Sequence, residues 1–235
     1  MKPIVIYQTA SADGPGQFAA YLTSRAIPYR VVRLDAGTAV DVDPRAFSGI
    51  GLMGGPMSVN DDLPWIPPLA ALIGRAIELD IPVIGHCLGG QLMSKALGGQ
   101  VTASPVKEIG WGTVRIEEGA AAQHWFGELR AFTAFQWHQE TFSIPADGVR
   151  IATGDYCPNQ AFSVGTKHLA MQCHVEMTVP TIKRWCDEGG DEIAKSPSPA
   201  VQRQASIEEN VDAKVAALRK VAERLYDRWV EGLVK

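Results

Sequence analysis

Short apolar, β-branched runs alternate with amphipathic stretches through the first hundred residues. The runs predict buried strands over residues 3–8, 29–34, 50–53 and 81–84. Apolar side chains at helical spacing lie between them, first at Phe18, Tyr21 and Leu22, then over 69–79. Short strands alternating with helices predict βαβ units and a parallel sheet with right-handed crossovers. The active sites of such sheets lie beyond the carboxyl ends of the strands.

The pattern changes after residue 100, where short β-rich segments follow one another between turn residues. We predict strands over 101–102, 112–116, 132–137, 149–152, 161–164 and 169–173, as an antiparallel or mixed extension of the sheet. A helix over 178–187 and a Ser/Pro-rich loop over 195–200 come next. The expected fold class is therefore α/β, with three layers: a mostly parallel central sheet flanked by helices, with added antiparallel strands.

A long amphipathic helix is predicted at the C-terminal end, opening with a capping box formed by Ser206 and Glu209. One apolar stripe runs along it: Ile207, Val211, Val215, Leu218, Val221, Ala222, Leu225 and Trp229. We interpret the stripe as packing on the sheet, the alternative being a partner-binding zipper. No linker marks a second domain, so we expect residues 1–235 to form one domain, with 178–235 as a helical extension.

Composition narrows the function classes. The 235 residues carry a formal net charge of −4, which offers no basic footprint for nucleic acid or an anionic membrane. No apolar run approaches the length of a membrane span, and the N-terminal run reads as a core strand rather than a signal peptide. The four cysteines have neither paired spacing nor a CxxC. We therefore expect reduced thiols, a cytoplasmic location and no metal site.

The most informative stretch surrounds Cys87, in Gly85-His86-Cys87-Leu88-Gly89-Gly90-Gln91. A buried strand precedes it and helical spacing follows it, so Cys87 is predicted at a strand–elbow–helix turn that presents a nucleophile. The helix N-terminus favours a thiolate, and the next backbone N–H, on Leu88, would face a carbonyl under attack. The alternative is an ordinary buried cysteine on a βα turn, which the glycine pattern disfavours.

A thiolate that attacks an amide needs a base, and the base needs a group to orient it. His174 and Glu176 follow a predicted strand, where residues i and i+2 point the same way. His138 is the competing base, because it also follows a predicted strand and has Glu140 two residues on. We expect His86 to be structural, and the two remaining histidines, His124 and His168, are assigned nothing.

Three motifs occur in order along the chain: Gly54-Gly55-Pro56 after the third strand, the Cys87 motif after the next strand, and His174-Val175-Glu176. Together they resemble the class I, triad-type glutamine amidotransferases. That family includes the glutaminase domain of GMP synthetase and the small subunit of carbamoyl-phosphate synthetase. The resemblance runs over residues 3–177 and is greatest to stand-alone amidotransferase-like proteins. It implies a flavodoxin-like fold without a cofactor.

The resemblance also implies roles at matching positions. Cys87 would be the nucleophile, with His174 as its acid–base and Glu176 as the orienting acid. The oxyanion hole would be formed by Gly55 and Leu88. The amino-acid end of the substrate would be held by Gln91 and by the segment His138-Gln139-Glu140, which follows Trp137.

Two departures from the family pattern bear on these roles. Val175 replaces the usual proline, and Gln139-Glu140 replaces the usual Gly-Asp. The second change adds a bulky side chain where the substrate's amino-acid end should lie, which would restrict glutamine or favour a longer substrate.

Three functions follow as alternatives. The first is a glutamine amidotransferase-type cysteine hydrolase that releases ammonia through a γ-glutamyl thioester. The second is a stand-alone γ-glutamyl peptidase or hydrolase acting on γ-glutamyl amines or peptides. The third is a non-catalytic regulatory or binding protein on the same fold, which an intact triad disfavours.

The sequence contains no P-loop, so an ammonia-accepting synthetase would be a separate chain. The expected partner is a small-molecule substrate, and the sequence leaves the oligomeric state open.

Overall fold

A ten-stranded sheet forms the centre of the computed structural model, which describes residues 1–234. Lys235, the last residue of the predicted domain, lies outside this range. The strand order is β10 (Ala200–Val201), β5 (Val101–Ile116), β7 (Val149–Gly154), β8 (Ala161–Val164), β9 (His168–Met171), β4 (Val83–His86), β3 (Ile50–Leu52), β1 (Ile4–Gln8) and β2 (Tyr29–Arg33), and β6 (Ala131–Phe142) pairs with β5. The five strands from β9 to β2 are mutually parallel, whereas β9, β8, β7, β5 and β6 are joined by antiparallel pairings. The predicted fold class is confirmed.

The parallel half follows the predicted alternation closely. Its elements are β1 (Ile4–Gln8), α1 (Gly16–Ser24), β2 (Tyr29–Arg33), a 3-10 turn (Pro44–Ala46), β3 (Ile50–Leu52), α2 (Ile66–Glu78), β4 (Val83–His86), α3 (Leu88–Ala96) and β9 (His168–Met171). Strand β4 begins two residues later than predicted, because Pro82 precedes it and cannot donate to a ladder.

The antiparallel half differs more from prediction. It comprises β5 (Val101–Ile116), α4 (Ala120–Phe126), β6 (Ala131–Phe142), β7 (Val149–Gly154) and β8 (Ala161–Val164). The two short strands predicted at 101–102 and 112–116 were wrong as separate strands. They are one strand, β5, whose register against β6 shifts at a bulge between Ala103 and Glu108. Helix α4 was not predicted.

The C-terminal segment contains α5 (Val179–Glu188), α6 (Gly190–Lys195), β10 (Ala200–Val201), α7 (Gln204–Glu208) and α8 (Val211–Glu231). The predicted capping box of Ser206 and Glu209 was wrong. Glu209 ends α7, and Asn210 precedes α8 with a φ of 54° and no side-chain cap. Asn tolerates this left-handed conformation, so the chain turns there and makes two helices. The loop predicted over 195–200 reaches only Pro199 before β10 begins.

Two hydrophobic clusters lie on opposite faces of the sheet, and β1 contributes to both. Ile4 and Ile6 join the cluster with α1, α4, α5 and α8, whereas Val5 and Tyr7 join the cluster with α2 and α3. The alternation follows from the two-residue period of a strand. All eight residues of the predicted stripe on the C-terminal segment are buried in the first cluster. Within residues 1–234, no helix is both long and apolar enough to cross a membrane.

Replacing a stripe residue tests whether α8 belongs to this core. Leu225 is fully buried, so Leu225→Ala should lower the free energy of unfolding by about 2–5 kcal/mol. Urea unfolding followed by circular dichroism measures the change. Leu79→Ala, at a leucine 45% exposed, is the control and should change stability by less than about 0.5 kcal/mol. A small effect at Leu225 accompanied by loss of an oligomer would instead favour the zipper interpretation.

Candidate functional site

Cys87 occupies the turn between β4 and α3 in a conformation that a non-glycine residue rarely adopts. Its φ and ψ are 50° and −109°, and its N–H donates to the Met171 carbonyl at 2.8 Å. Gly85 makes the turn possible, because a Cβ there would lie 2.5 Å from the carbonyl carbon of Gly89. Strained backbone of this kind typically costs about 1–3 kcal/mol and persists where the surroundings impose it.

His174 and Glu176 lie just beyond β9, next to the elbow. The N–H of His174 donates to the Phe135 carbonyl at 2.9 Å, which fixes the backbone, and its Nδ1 lies 2.6 Å from Glu176 Oε1. A Cβ at Gly54 would lie 3.1 Å from His174 Cε1 and 3.7 Å from Cys87 Cβ. The histidine and the cysteine therefore flank the same glycine. Val175, which stands where the family usually has proline, leaves the contact between His174 and Glu176 intact.

The paired charges favour an imidazolium and a carboxylate. Burial opposes the charged form of His174, but the neighbouring Glu176 carboxylate and Cys87 sulfur outweigh it and hold the pKa of His174 well above its ordinary value. Burial likewise opposes ionisation of Glu176, but His174 lowers the pKa of that carboxyl below its ordinary value. His174 Nε2 is buried and makes no hydrogen bond of good geometry, while an interaction with the Cys87 side chain also contributes to the raised pKa of His174.

The three other cysteines lie in apolar surroundings. Burial raises the pKa of Cys157, Cys173 and Cys186 alike. A raised thiol pKa lowers the thiolate fraction, so these side chains are poor nucleophiles.

His138 lies inside β6, so its prediction as a strand-end residue was wrong. Its Nδ1 is 3.1 Å from the Glu140 carbonyl oxygen, and its Nε2 is 3.2 Å from Glu108 Oε2. Both ring nitrogens therefore face oxygen acceptors, and Glu108, which sequence reasoning missed, is its carboxylate partner. Nδ1 contacts the strand at Glu140, whereas Nε2 is buried and makes no hydrogen bond despite its contact with Glu108.

A short hydrogen-bond chain joins Glu140 to Cys87. Gln91 Nε2 donates to the Glu140 carbonyl at 3.2 Å and to Gln172 Oε1 at 3.3 Å. Gln172 Nε2 in turn lies 3.6 Å from Cys87 Sγ. Gln172 was missed, although it stands two residues before His174, just past the end of a strand.

Gly55 and Leu88, predicted as oxyanion donors, are also near Cys87. Leu88 is the first residue of α3, so its N–H has no partner within the helix. Gly55 lines a cavity with Cys87, and a Cβ there would lie 3.0 Å from Leu88 Cδ2. The two residues are thus neighbours at the elbow.

Three metal-ligand side chains also come together, at Glu108, His138 and Cys157, with candidate ligand atoms within 4.8 Å of one another. Each has protein partners already. Gln160 Nε2 donates to Glu108 at 3.4 Å, and Thr141 Oγ1 lies 3.2 Å from Cys157 Sγ. The sequence spacing gave no sign of this cluster, because its members come from three different strands and loops.

Two adjoining cavities meet at Cys87. The first, of about 260 Å³, is the His174 cavity, lined by Ala12, Asp13, Gly55, Pro56, Cys87, Trp137, His174, Trp185, Glu188, Gly189 and Glu192. The second, of about 310 Å³, is the Gln91 cavity, lined by Gly55, Pro56, Met57, Ser58, Cys87, Gln91, Trp137, His138, Gln139, Glu140 and Glu192. Every predicted site residue except Leu88 and Glu176 lines one of them, and those two contact residues that do.

The C-terminal segment supplies one wall of the His174 cavity, which sequence reasoning missed. Trp185 stacks edge-on against His174, with ring centroids 5.1 Å apart. A Cβ at Gly189 would lie 2.4 Å from Trp137 Cζ2, so only glycine lets α6 approach β6 here. Asp13 could have been anticipated, because it follows β1 at the same edge of the sheet.

The remaining histidines lie outside the two cavities. His86 Nε2 lies 3.2 Å from the Tyr226 hydroxyl, and burial lowers the pKa of His86. Burial lowers the pKa of His168 to about 4, and His124 contacts the Thr166 carbonyl. These three side chains serve packing and local structure.

A cysteine at a strand–helix elbow of an α/β sheet, beside a buried histidine–carboxylate pair, defines a nucleophile-elbow protein. The family model of glutamine amidotransferase class-I matches residues 17–184. The chain therefore belongs to the class I glutamine amidotransferase family. The resemblance stated from the motifs is confirmed.

Known proteins agree with this assignment. A glutamine amidotransferase of Methylobacillus flagellatus superposes with a TM-score of 0.98 at 41% identity, covering 100% of this chain and 96% of that one. A Salmonella typhimurium protein named as glutamine amidotransferase-like is 27% identical over 190 residues, 78% of this chain and 80% of that protein. The GMP synthase of Photobacterium profundum is 34% identical over 151 residues, which are 59% of this chain but only 27% of that enzyme.

Asp13 provides a test of the site's electrostatics. Burial raises the pKa of Asp13 from 3.8 to about 6. The unfolded chain therefore loses this proton at lower pH than the folded protein, and stability falls as pH rises from about 4 to 6. Asp13→Asn removes the penalty, so the variant should be more stable than the parent by about 2–3 kcal/mol at pH 8, with little difference at pH 4.

Urea unfolding at both pH values measures the effect. Asp62→Asn, at an exposed aspartate, controls for the loss of one negative charge. Destabilisation by Asp13→Asn at pH 8 would contradict the interpretation and indicate that the carboxylate is structural.

Proposed function

We propose that the chain is a cysteine hydrolase of the glutamine amidotransferase type, which releases ammonia from the side-chain amide of glutamine. The observation that carries the proposal is the meeting of Cys87 and the His174–Glu176 pair at one cavity. A binding protein without catalysis would have no need for a strained cysteine beside a buried ion pair. The non-catalytic alternative is therefore disfavoured.

The geometry supports a two-step acyl transfer. Cys87 Sγ forms a bond to the γ-carbonyl carbon, and the carbonyl oxygen becomes an oxyanion that accepts from the N–H groups of Gly55 and Leu88. The C–N bond breaks as His174 gives its proton to the departing ammonia. Water then attacks the thioester, gives a proton to His174, and releases glutamate and the Cys87 sulfur. Each oxyanion donor of this kind is typically worth about 3–4 kcal/mol.

The two cavities suggest how glutamine lies across Cys87. The leaving group must face His174, which lines only the first cavity, so the amino-acid end belongs in the Gln91 cavity. There Gln91, His138 and the Gln139–Glu140 backbone provide polar groups. Gln139 lines this cavity and is exposed.

The proposal extends to domain, location and partners. We treat residues 1–235 as one domain because the stripe on α8 is buried with α1 and β1 in a single core cluster. A cytoplasmic location fits four free cysteines. Similarity to the glutaminase part of GMP synthases makes a separate synthetase one candidate partner. The alternative is an autonomous hydrolase, for which the isolated protein would turn over a γ-glutamyl compound unaided.

The nucleophile is tested by covalent labelling. A chloroketone analogue of glutamine should alkylate Cys87 alone, because burial raises the pKa of the other three thiols. Peptide mass spectrometry locates the adduct. Cys87→Ala should abolish both labelling and ammonia release, whereas Cys186→Ala serves as the matched control. Labelling at another cysteine, or full activity in Cys87→Ala, would sink the assignment.

The two histidines are separated by kinetics. His174→Asn should lower kcat by about 10²–10⁴-fold, because it removes the group that transfers protons. His138→Asn should mainly raise KM, since His138 anchors the Glu140 carbonyl. Steady-state ammonia release over a range of glutamine concentrations gives both constants. If the two variants show the opposite pattern, the base has been misassigned.

A further inference from the structure

We propose that the His174 cavity is a subsite for a cationic leaving amine, so that γ-glutamyl derivatives of diamines or polyamines are preferred substrates. The inference rests on the proposed function, because it takes Cys87 as the nucleophile and His174 as the proton donor. It adds a binding site for a charged leaving group, which hydrolysis of glutamine or of an uncharged amide would not require. The size, charge and aromatic lining of the cavity support it.

Size is the first argument. The cavity measures about 260 Å³, whereas a molecule the size of water or ammonia occupies about 30 Å³. His174 Nε2 is buried, lacks a hydrogen-bond partner and belongs to the lining. A leaving nitrogen placed beside it would therefore carry its substituent into this space.

Charge is the second argument. Asp13, Glu188 and Glu192 line the cavity, and none of its lining residues is a lysine or arginine. Glu192 is already paired, with Lys107 Nζ at 2.6 Å and Trp137 Nε1 at 3.0 Å. Within residues 1–234, the carboxylates of Asp13 and Glu188 have neither a hydrogen-bond donor nor an ion-pair partner. Two unpaired carboxylates favour an ammonium and disfavour a leaving group that carries a carboxylate, as a peptide would.

The nearby cations do not cancel this charge. Lys107 is held by Glu192, and the His174 imidazolium is paired with Glu176, which does not line the cavity. Arg184 donates to the Ala12 carbonyl at the cavity rim rather than to either carboxylate, although His174 and Arg184 both favour the charged form of Asp13. The raised pKa of Asp13, about 6, still leaves its carboxyl mostly ionised at neutral pH. The cavity therefore keeps a negative potential when empty.

The indoles are the third argument. Trp137 and Trp185 lie edge to face, with centroids 5.9 Å apart, and both line the cavity. The Trp137 N–H is used by Glu192 and the Trp185 N–H by the Ala12 carbonyl, so the rings offer apolar and π surface. Methylene groups pack against such surfaces, and ammonium groups bind to indole faces.

The reaction balances without a co-reactant. Cys87 Sγ forms a bond to the γ-carbonyl carbon, the C–N bond to the diamine breaks, and His174 supplies the proton that the leaving amine takes. Water then hydrolyses the thioester. One γ-glutamyl diamine and one water give one glutamate and one diamine.

The experiment compares two substrates that differ by one charge, γ-glutamyl-1,5-diaminopentane and γ-glutamyl-pentylamine. The protein should show a kcat/KM at least tenfold higher for the diamine derivative, and sodium chloride should reduce that ratio. Glu188→Gln and Asp13→Asn should each lower the ratio about five- to tenfold. Asp187→Asn removes a charge one residue away that does not line the cavity, and it should leave the ratio unchanged. γ-Glutamyl-glycine should be the poorest substrate.

A binding measurement separates failure of this inference from failure of the proposed function. Calorimetry should show that free 1,5-diaminopentane binds the parent protein more tightly than pentylamine does, and that Glu188→Gln weakens its binding. Diamine binding without turnover of any γ-glutamyl compound would leave the subsite standing and refute the proposed hydrolase. Equal kcat/KM for the two amides, or a ratio unaltered in both variants, would overturn the subsite.

Discussion

The strained turn at Cys87 is the constraint on which the rest of the site depends. A non-glycine residue in this conformation needs neighbours that prevent relaxation, and here the Met171 carbonyl accepts its N–H while glycines before and after it permit the close approach of α3 to the sheet. Met171 ends β9, the strand that leads directly to His174. The same contact therefore holds Cys87 and places His174 beside it.

The elements that depend on local pattern could be predicted from the sequence. Buried strands of the parallel half show apolar runs bounded by turns. The glycines around Cys87 also indicate a tight turn, because a side chain there would not fit between strand and helix. Prediction failed where tertiary contacts override local preference. The bulged strand β5 looks like two strands because the register shift hides its continuity, and Asn210 breaks the final helix although Ser206 and Glu209 resemble a cap.

The site shows the same division. Cys87, His174 and Glu176 could be found because their spacing and flanking elements are characteristic. Glu108, Gln172 and Glu188 could not, because each meets its partners only after distant segments pack together. His138 was a plausible base by sequence alone. Only the structure shows that its Nδ1 contacts the Glu140 carbonyl and that its Nε2 lies buried beside Glu108.

The close approach of Gly189 to Trp137 has a consequence for how proteins of this fold diversify. The turn at Cys87 is part of the sheet. Residues 179–195 form one side of the cavity next to it, and they contact β6 through Gly189 and a few side chains. Exchange of that segment between relatives would change the lining of the His174 cavity while Cys87, His174 and Glu176 stay in place. Such an exchange must keep glycine at position 189, because a side chain there would push the segment away from Trp137.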